Sequence, residues 1–166
     1  MGKLVLREYA DRYKKEVIKL NKDAISASEI ASKSWNPQWE GELHKIRSVY
    51  IGNGGAFLLA FKLDKLVGMG GLLRVDGATA KVKWVRVHPD CQKQGVAMLI
   101  IGALEKKARS LGYKRLVADA VRGNAAAEGM LMKSGFKSNG GKTFDGVVFL
   151  RKLFGKKLAS FEKKLG

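Results

Sequence analysis

The sequence predicts an α/β domain in which a mixed, mostly antiparallel sheet carries helices on both faces. Three observations predict it. Short apolar runs rich in β-branched and aromatic residues alternate with longer segments of helical period. Turn signals at Lys62-Leu63-Asp64-Lys65 and Asp76-Gly77 tie three successive runs into a meander. Strands and helices then alternate, giving the order β-α-α-β-β-β-α-β-α-β-β, which suits a layered domain rather than a bundle or barrel.

The elements follow in order. Lys3 to Arg7 alternates around Leu4 and Leu6 and reads as a strand. Asp11 to Lys22 brings Tyr13, Val17, Ile18 and Leu20 to one helical face, and the polar stretch after it ends in the turn signal Trp35-Asn36-Pro37. A second helix is expected from Trp39 to Ile51, on Leu43, Ile46, Val49 and Tyr50, stopped by Asn53-Gly54-Gly55. Ala56 to Phe61, Leu66 to Leu73 and Ala80 to Val87 form the meander, and Pro89 ends its last strand because it cannot donate to a ladder.

From Gln94 to Leu111, Val96, Leu99, Ile100, Ala103, Leu104 and Ala108 recur at helical spacing, and Gly112 closes the helix. Arg115 to Val121 is a buried strand and Asn124 to Ser134 a helix ended by Gly135. Two short strands are expected from Phe136, with a turn at Asn139-Gly140-Gly141 and the last running through Val147 to Leu153. One domain over residues 1–154 is followed by a basic tail, 155–166, either an amphipathic helix on Leu158, Phe161 and Leu165 or a frayed end.

With 166 residues, 46% of them hydrophobic, 28% charged and only two proline, the chain has enough apolar surface for one core and no tract of disordered composition. The start lacks the apolar stretch of a signal peptide, and no window approaches the ~20 apolar residues that span a bilayer, so a cytoplasmic protein without membrane attachment is expected. Cys91 has no partner for an internal disulfide, and with His44 and His88 it makes no metal-ligand spacing, so no metal is expected. Against 15 acidic residues stand 32 Lys and Arg, a net charge of +17 that attracts anions of any kind: nucleic acid, an anionic membrane, a nucleotide cofactor or an acidic acceptor.

The stretch with chemical content joins a strand to the long helix and reads VHPDCQKQGVA, from Val87 to Ala97. Orphan N–H groups and the positive end of the helix dipole meet at such a junction, and Gly95 and Ala97 lack the bulk that keeps a phosphate from the backbone. The same residues also suit an ordinary helix start. The glycine patterns of dinucleotide-binding and P-loop proteins are absent.

This stretch resembles motif A of the GNAT acyltransferases: Gln or Arg, two residues, Gly, one residue, then Gly or Ala, after a Val-x-Pro turn. Downstream, Asn124, Ala127, Met130, Gly135 and Phe136 fall on the family's motif B pattern NxxAxxxxxxxGF. The resemblance implies the GNAT fold, acetyl-CoA as cosubstrate and transfer to a primary amine by direct attack in a ternary complex. It implies that the pyrophosphate of CoA rests on Gln92, Lys93, Gln94, Gly95, Val96, Ala97 and Met98. The pantetheine arm would lie like an added strand in a splay between Trp84 to Val87 and Leu116 to Val121, beside Val85, Arg86 and Val87. The Val87 amide would polarise the thioester carbonyl. Asn124 would hydrogen-bond the arm, or serve as a plain N-cap.

The pattern departs from the family at two places. Leu131 stands seven residues after Asn124, where many members carry a tyrosine that protonates the departing thiolate. Ala80-Lys81-Val82-Lys83 stands where histone-acetylating relatives carry a basic glutamate. Asp119 is the best remaining acid, since relatives that acetylate protein N-termini carry a glutamate at that position. It is a base for the attacking amine, or else a carboxylate exposed on the sheet or paired with a lysine. Trp35, Trp39, Glu40 and Glu42 would wall the acceptor side, although two tryptophans near a helix start also suit the core. Direct attack needs no covalent step on Cys91.

The acceptor stays open. The basic surface disfavours polyamines and favours a protein N-terminus or an acidic small molecule. A different class, a catalytically weak CoA-fold protein bound to nucleic acid, draws on the +17 charge but lacks an aromatic RNA-binding signature. Monomer and homodimer both fit the pattern.

Overall fold

The computed structural model describes residues 2–29, 32, 35, 37–121, 124–138 and 158–165. Seven strands form one sheet in the order β1-β2-β3-β4-β5-β7-β6. They are β1 (Leu4–Glu8), β2 (Ala56–Lys62), β3 (Lys65–Arg74), β4 (Thr79–Val87), β5 (Arg115–Val121), β6 (Lys137–Ser138) and β7 (Leu158–Lys164). The pairings are antiparallel except β4 with β5. Three α-helices are described: α1 (Lys14–Ser26), α2 (Val96–Ser110) and α3 (Ala125–Lys133). None of the described helices is long and apolar enough to cross a membrane.

The sheet is apolar on both faces, as alternation along β2 makes plain. Ala56, Leu58 and Ala60 join Val96, Ile100, Ile101 and Leu104 of α2 in one core, while Phe57, Leu59 and Phe61 join Val17 and Leu20 of α1 in the other. Each of the large α2 residues contributes on the order of 1.5–3 kcal/mol by leaving water. The helix sits very close to the sheet because β3 offers glycines beneath it. A Cβ on Gly68 would lie 2.7 Å from Val96 Cγ1, and one on Gly70 would lie 2.6 Å from Ile100 Cγ2.

Two expectations are corrected. The helix expected from Trp39 to Ile51 is instead a 3₁₀ segment, Pro37–Glu42, and a wide π turn, Arg47–Ile51. Gly41 weakens the first part, and the Gly52 N–H reaches back five residues to the Arg47 carbonyl at 2.7 Å. Its expected core positions Leu43, Ile46 and Tyr50 are nonetheless buried. The tail also differs: residues 158–164, read as helix or frayed end, are β7, paired with β5 from Arg115↔Lys164 to Val121↔Leu158. A strand fills the hydrogen-bonding edge of β5, which a helix would leave unpaired. Lys137–Ser138 supplies the first of the two short strands expected after Phe136, and the turn at 139–141 and the strand at 147–153 lie outside the described residues.

Candidate active site

The site begins with a change of partner along β4. Its first half is paired on both sides, with β3 and with β5, but the β5 ladder stops at Val82↔Ala118. Both strands run on, β4 to Val87 and β5 to Val121, with no pairing between them among the described residues. A bulge marks the parting: the β3–β4 register shifts between Met69 and Gly71, and Trp84 takes φ 59°, unusual for a bulky residue.

Alternation of the ladder tells which backbone groups line the gap. The His88 N–H donates to the Val67 carbonyl at 2.8 Å, and Arg86 faces Met69 two residues earlier. In an antiparallel pair the backbone groups of Arg86 therefore also face β3, while those of Val85 and Val87 face the gap. The main chain of Arg86 is thus engaged with β3 and not directed into the gap.

Beyond β4, His88 Nδ1 accepts from the Asp90 N–H at 3.2 Å and starts a short 3₁₀ turn, Pro89–Cys91. The loop then passes through two left-handed residues, Lys93 at φ 59° and Gly95 at φ 82°, the latter capping α2. Side chains tie it down: Gln92 Nε2 donates to the Val87 carbonyl at 3.4 Å, Gln94 Nε2 to the Asp90 carbonyl at 3.1 Å, and Lys62 Nζ to Gln94 Oε1 at 3.2 Å. The first turn-closing bond of α2 is Leu99 N–H to Gly95 O at 3.0 Å, so the N–H groups of Val96, Ala97 and Met98 have no acceptor within the helix. A Cβ on Gly95 would meet nothing within 4 Å, so the approach to these donors is open. Val96 is buried against β3, whereas Met98 is exposed.

The opposite face of β4 carries charge. The bulge puts Lys83 and Trp84 on the same side, and both reach Glu42: Lys83 Nζ lies 2.8 Å from each carboxylate oxygen and Trp84 Nε1 donates at 2.9 Å. Tyr50 adds a third donor at 2.6 Å. Burial alone would raise the Glu42 pKa, but the Lys83 ammonium and the hydrogen bonds from Lys83, Tyr50 and Trp84 outweigh it and hold the carboxyl below its ordinary range. Burial, and then the Glu42 carboxylate, push the Tyr50 phenol up, so it stays a donor.

Asp119 lies one residue past the last β4–β5 pair and forms an ion pair with Lys81, the two side chains 12% and 7% exposed. Pairing with a lysine was one of the alternatives the sequence left open. Burial lowers the Lys81 pKa, and Asp119 offsets this only in part. Trp35 packs edge-on against both Trp39 (ring centroids 5.5 Å apart) and Trp84 (6.0 Å). Glu40 accepts from Asn21 Nδ2 at 3.5 Å. Trp35, Trp39, Glu40 and Glu42 thus gather on the α1 side of the sheet, though Trp35 and Trp39 also cover the core there.

Other residues settle into structural positions. Asn124 Oδ1 accepts from the Ala127 N–H at 3.2 Å and caps α3, the second of its two readings. Leu131 is buried in the α2-side core. Sequence reasoning missed Lys81, Lys83 and Asn21 as members of the site. The available signal was two lysines alternating within an apolar strand, since a buried ammonium survives only beside a partner. No cluster of three or more His, Cys, Asp or Glu side chains among the described residues is arranged for a metal.

Residues 6–136 match the acetyltransferase (GNAT) family. Human N-acetyltransferase 8 is 26% identical over 125 residues, 69% of this chain and 55% of that protein. Human N-acetyltransferase 8B is 30% identical over 96 residues, 55% of this chain and 42% of that protein. The chain thus spans about half the length of the curated relatives it matches. In fold it is similar to an acetyltransferase from Streptococcus agalactiae, with a TM-score of 0.81, 20% identity and 98% of each chain covered. The PaiA N-acetyltransferase from Thermoplasma acidophilum, solved in complex with coenzyme A, superposes with a TM-score of 0.75 at 16% identity, covering 98% of this chain and 99% of that one.

Proposed function

The chain belongs to the GNAT family of acetyltransferases, and on that premise we propose that it moves an acetyl group from acetyl-CoA to a primary amine by direct attack in a ternary complex. The observation that carries the reading is the parting of β4 from β5 directly beside the open N-terminus of α2. Together they offer backbone donors and acceptors to an extended amide-bearing arm and orphan N–H groups to a pyrophosphate.

The residues present fit such a cosubstrate. The amides of Val96, Ala97 and Met98 hold the pyrophosphate, with Gly95 leaving room and Gln92, Lys93 and Gln94 forming the rim. Val85 and Val87 pair with the arm through their main chain, and the Val87 N–H polarises the acyl carbonyl. Acetyl-CoA supplies an activated acyl group and a thiolate that leaves readily near neutral pH. Leu131 therefore replaces a helpful hydroxyl without removing a necessary one. Asp119 takes the proton of the attacking amine, directly or through water, and Lys81 fixes the carboxylate at the mouth of the gap. The +17 charge favours acceptors that carry negative charge, whether small acids or peptide N-termini.

The test is steady-state acetyl transfer to a panel of primary amines by the wild type and Asp119→Asn. Loss of the base is expected to lower kcat by ~10²- to 10⁴-fold. Lys81→Met breaks the same ion pair but keeps the carboxylate, and is expected to lose much less activity than Asp119→Asn. An Asp119→Asn enzyme with wild-type kcat would remove Asp119 from the chemistry.

A further inference from the structure

Three cations line the α1 side of β4, and two are neutralised there: Lys81 by Asp119 and Lys83 by Glu42. The third, Arg86, has no carboxylate partner among the described residues. Its Nε donates to Asn21 Oδ1 at 3.1 Å and its Nη1 to the Val85 carbonyl at 3.2 Å, while Nη2 has no acceptor among the described residues. The guanidinium carbon stands 5.6 Å from the centre of the Trp84 ring. Burial lowers its pKa only to about 10, so it is a cation at neutral pH.

Two features make this more than a stray surface arginine. Asn21 is 0% exposed on α1, and its bonds to Arg86 and Glu40 hold the guanidinium in one place. A half-buried cation met, among the described residues, only by neutral groups leaves its desolvation uncompensated, whereas an arriving carboxylate would offset it through the planar fork that arginine presents. Arg86 also immediately precedes Val87, whose N–H faces the gap, and shares its side of the sheet with Trp84 and Trp35. The fork therefore lies one residue from the donor proposed for the acyl carbonyl, beside an aromatic wall.

We infer that Arg86 binds the carboxylate of the acceptor, and that the acceptor is a free α-amino acid whose apolar side chain lies against Trp35 and Trp84. The inference rests on the acetyl-transfer reading for its location, but the carboxylate site itself is open to test without turnover. Binding of N-acetyl-phenylalanine and of its carboxamide is measured by calorimetry on the wild type, Arg86→Gln and Arg86→Lys, with CoA present and absent. In parallel, kcat/KM is measured for phenylalanine and phenylalaninamide.

The wild type is expected to prefer the acid over the amide by roughly 10- to 100-fold, the size of a charge-assisted pair. Arg86→Gln should erase that preference by weakening the acid alone, with acetyl-CoA affinity unchanged, and Arg86→Lys should restore part of it. Equal binding of acid and amide by the wild type, or a preference that survives in Arg86→Gln, would overturn the assignment. Discrimination in binding without any turnover would uphold the carboxylate site and count against the acetyl-transfer reading instead.

Discussion

The two faces of this one sheet are built by different means. On the α2 face the contacts are apolar, and small residues bring the helix down until its N-terminus meets the end of β4. On the α1 face the apolar core is joined by polar and charged side chains that meet across long sequence separations, Glu42 with Lys83 and Arg86 with Asn21. The first face positions backbone donors, which suit a ligand recognised by phosphates and amides. The second positions side chains, which suit a ligand recognised by its own charge and shape. On the proposed function, cosubstrate and acceptor draw on separable parts of the fold.

If so, substitutions on the two faces should fail differently. The largest effect on the fold is expected for Gly68→Val, whose branched side chain would collide with Val96 and Ile100. Overpacking of this kind costs roughly 1–3 kcal/mol and should lower Tm by about 2–4 °C per kcal/mol. It should also weaken acetyl-CoA binding, because lifting α2 moves the donors of Val96 to Met98. A variant of wild-type Tm and affinity would break the link between helix seat and cradle.

A smaller and different failure is expected for Glu42→Gln. It leaves Lys83, Tyr50 and Trp84 facing a neutral amide, and should reduce acceptor turnover while sparing acetyl-CoA affinity. Its pH signature has a definite sign. Because the folded-state pKa of Glu42 is depressed, its contribution is present above the ordinary carboxylate range and is lost as pH falls through the lower, folded value. Acid denaturation followed by circular dichroism should therefore show a shallower stability loss at low pH in Glu42→Gln than in the wild type. Identical acid limbs would mean that the three donors contribute nothing net to Glu42.

The same contrast explains what was legible in the sequence. The α2 face is written locally: the helical period of Val96, Ile100 and Leu104, the turn at Pro89 and the cap at Gly95 all lie within a few residues of what they shape. The α1 face is not. Glu42 and Lys83 are 41 positions apart, and no periodicity announces that they meet. The bulge at Trp84 is equally silent, since a bulky residue at positive φ goes against local preference and is held by tertiary contacts with Glu42 and Trp35. Gly41 and Pro37 hint that the segment after α1 would not make a regular helix, but its apolar spacing masks them. The strand β7 shows the limit of pattern reading over short apolar segments, where the unfilled edge of a neighbouring strand decides.

The central claim, that the gap beside β4 and the N-terminus of α2 form a cradle for acetyl-CoA, is tested most directly by calorimetric titration of acetyl-CoA into the wild type, Gly95→Glu and Gly95→Asn. Asparagine tolerates the left-handed backbone of residue 95, at φ 82°, while glutamate adds a negative charge at the proposed pyrophosphate site. Binding by the wild type, retained in large part by Gly95→Asn and lost by Gly95→Glu, is the predicted result. No binding by the wild type, or equal binding by all three proteins, would contradict it.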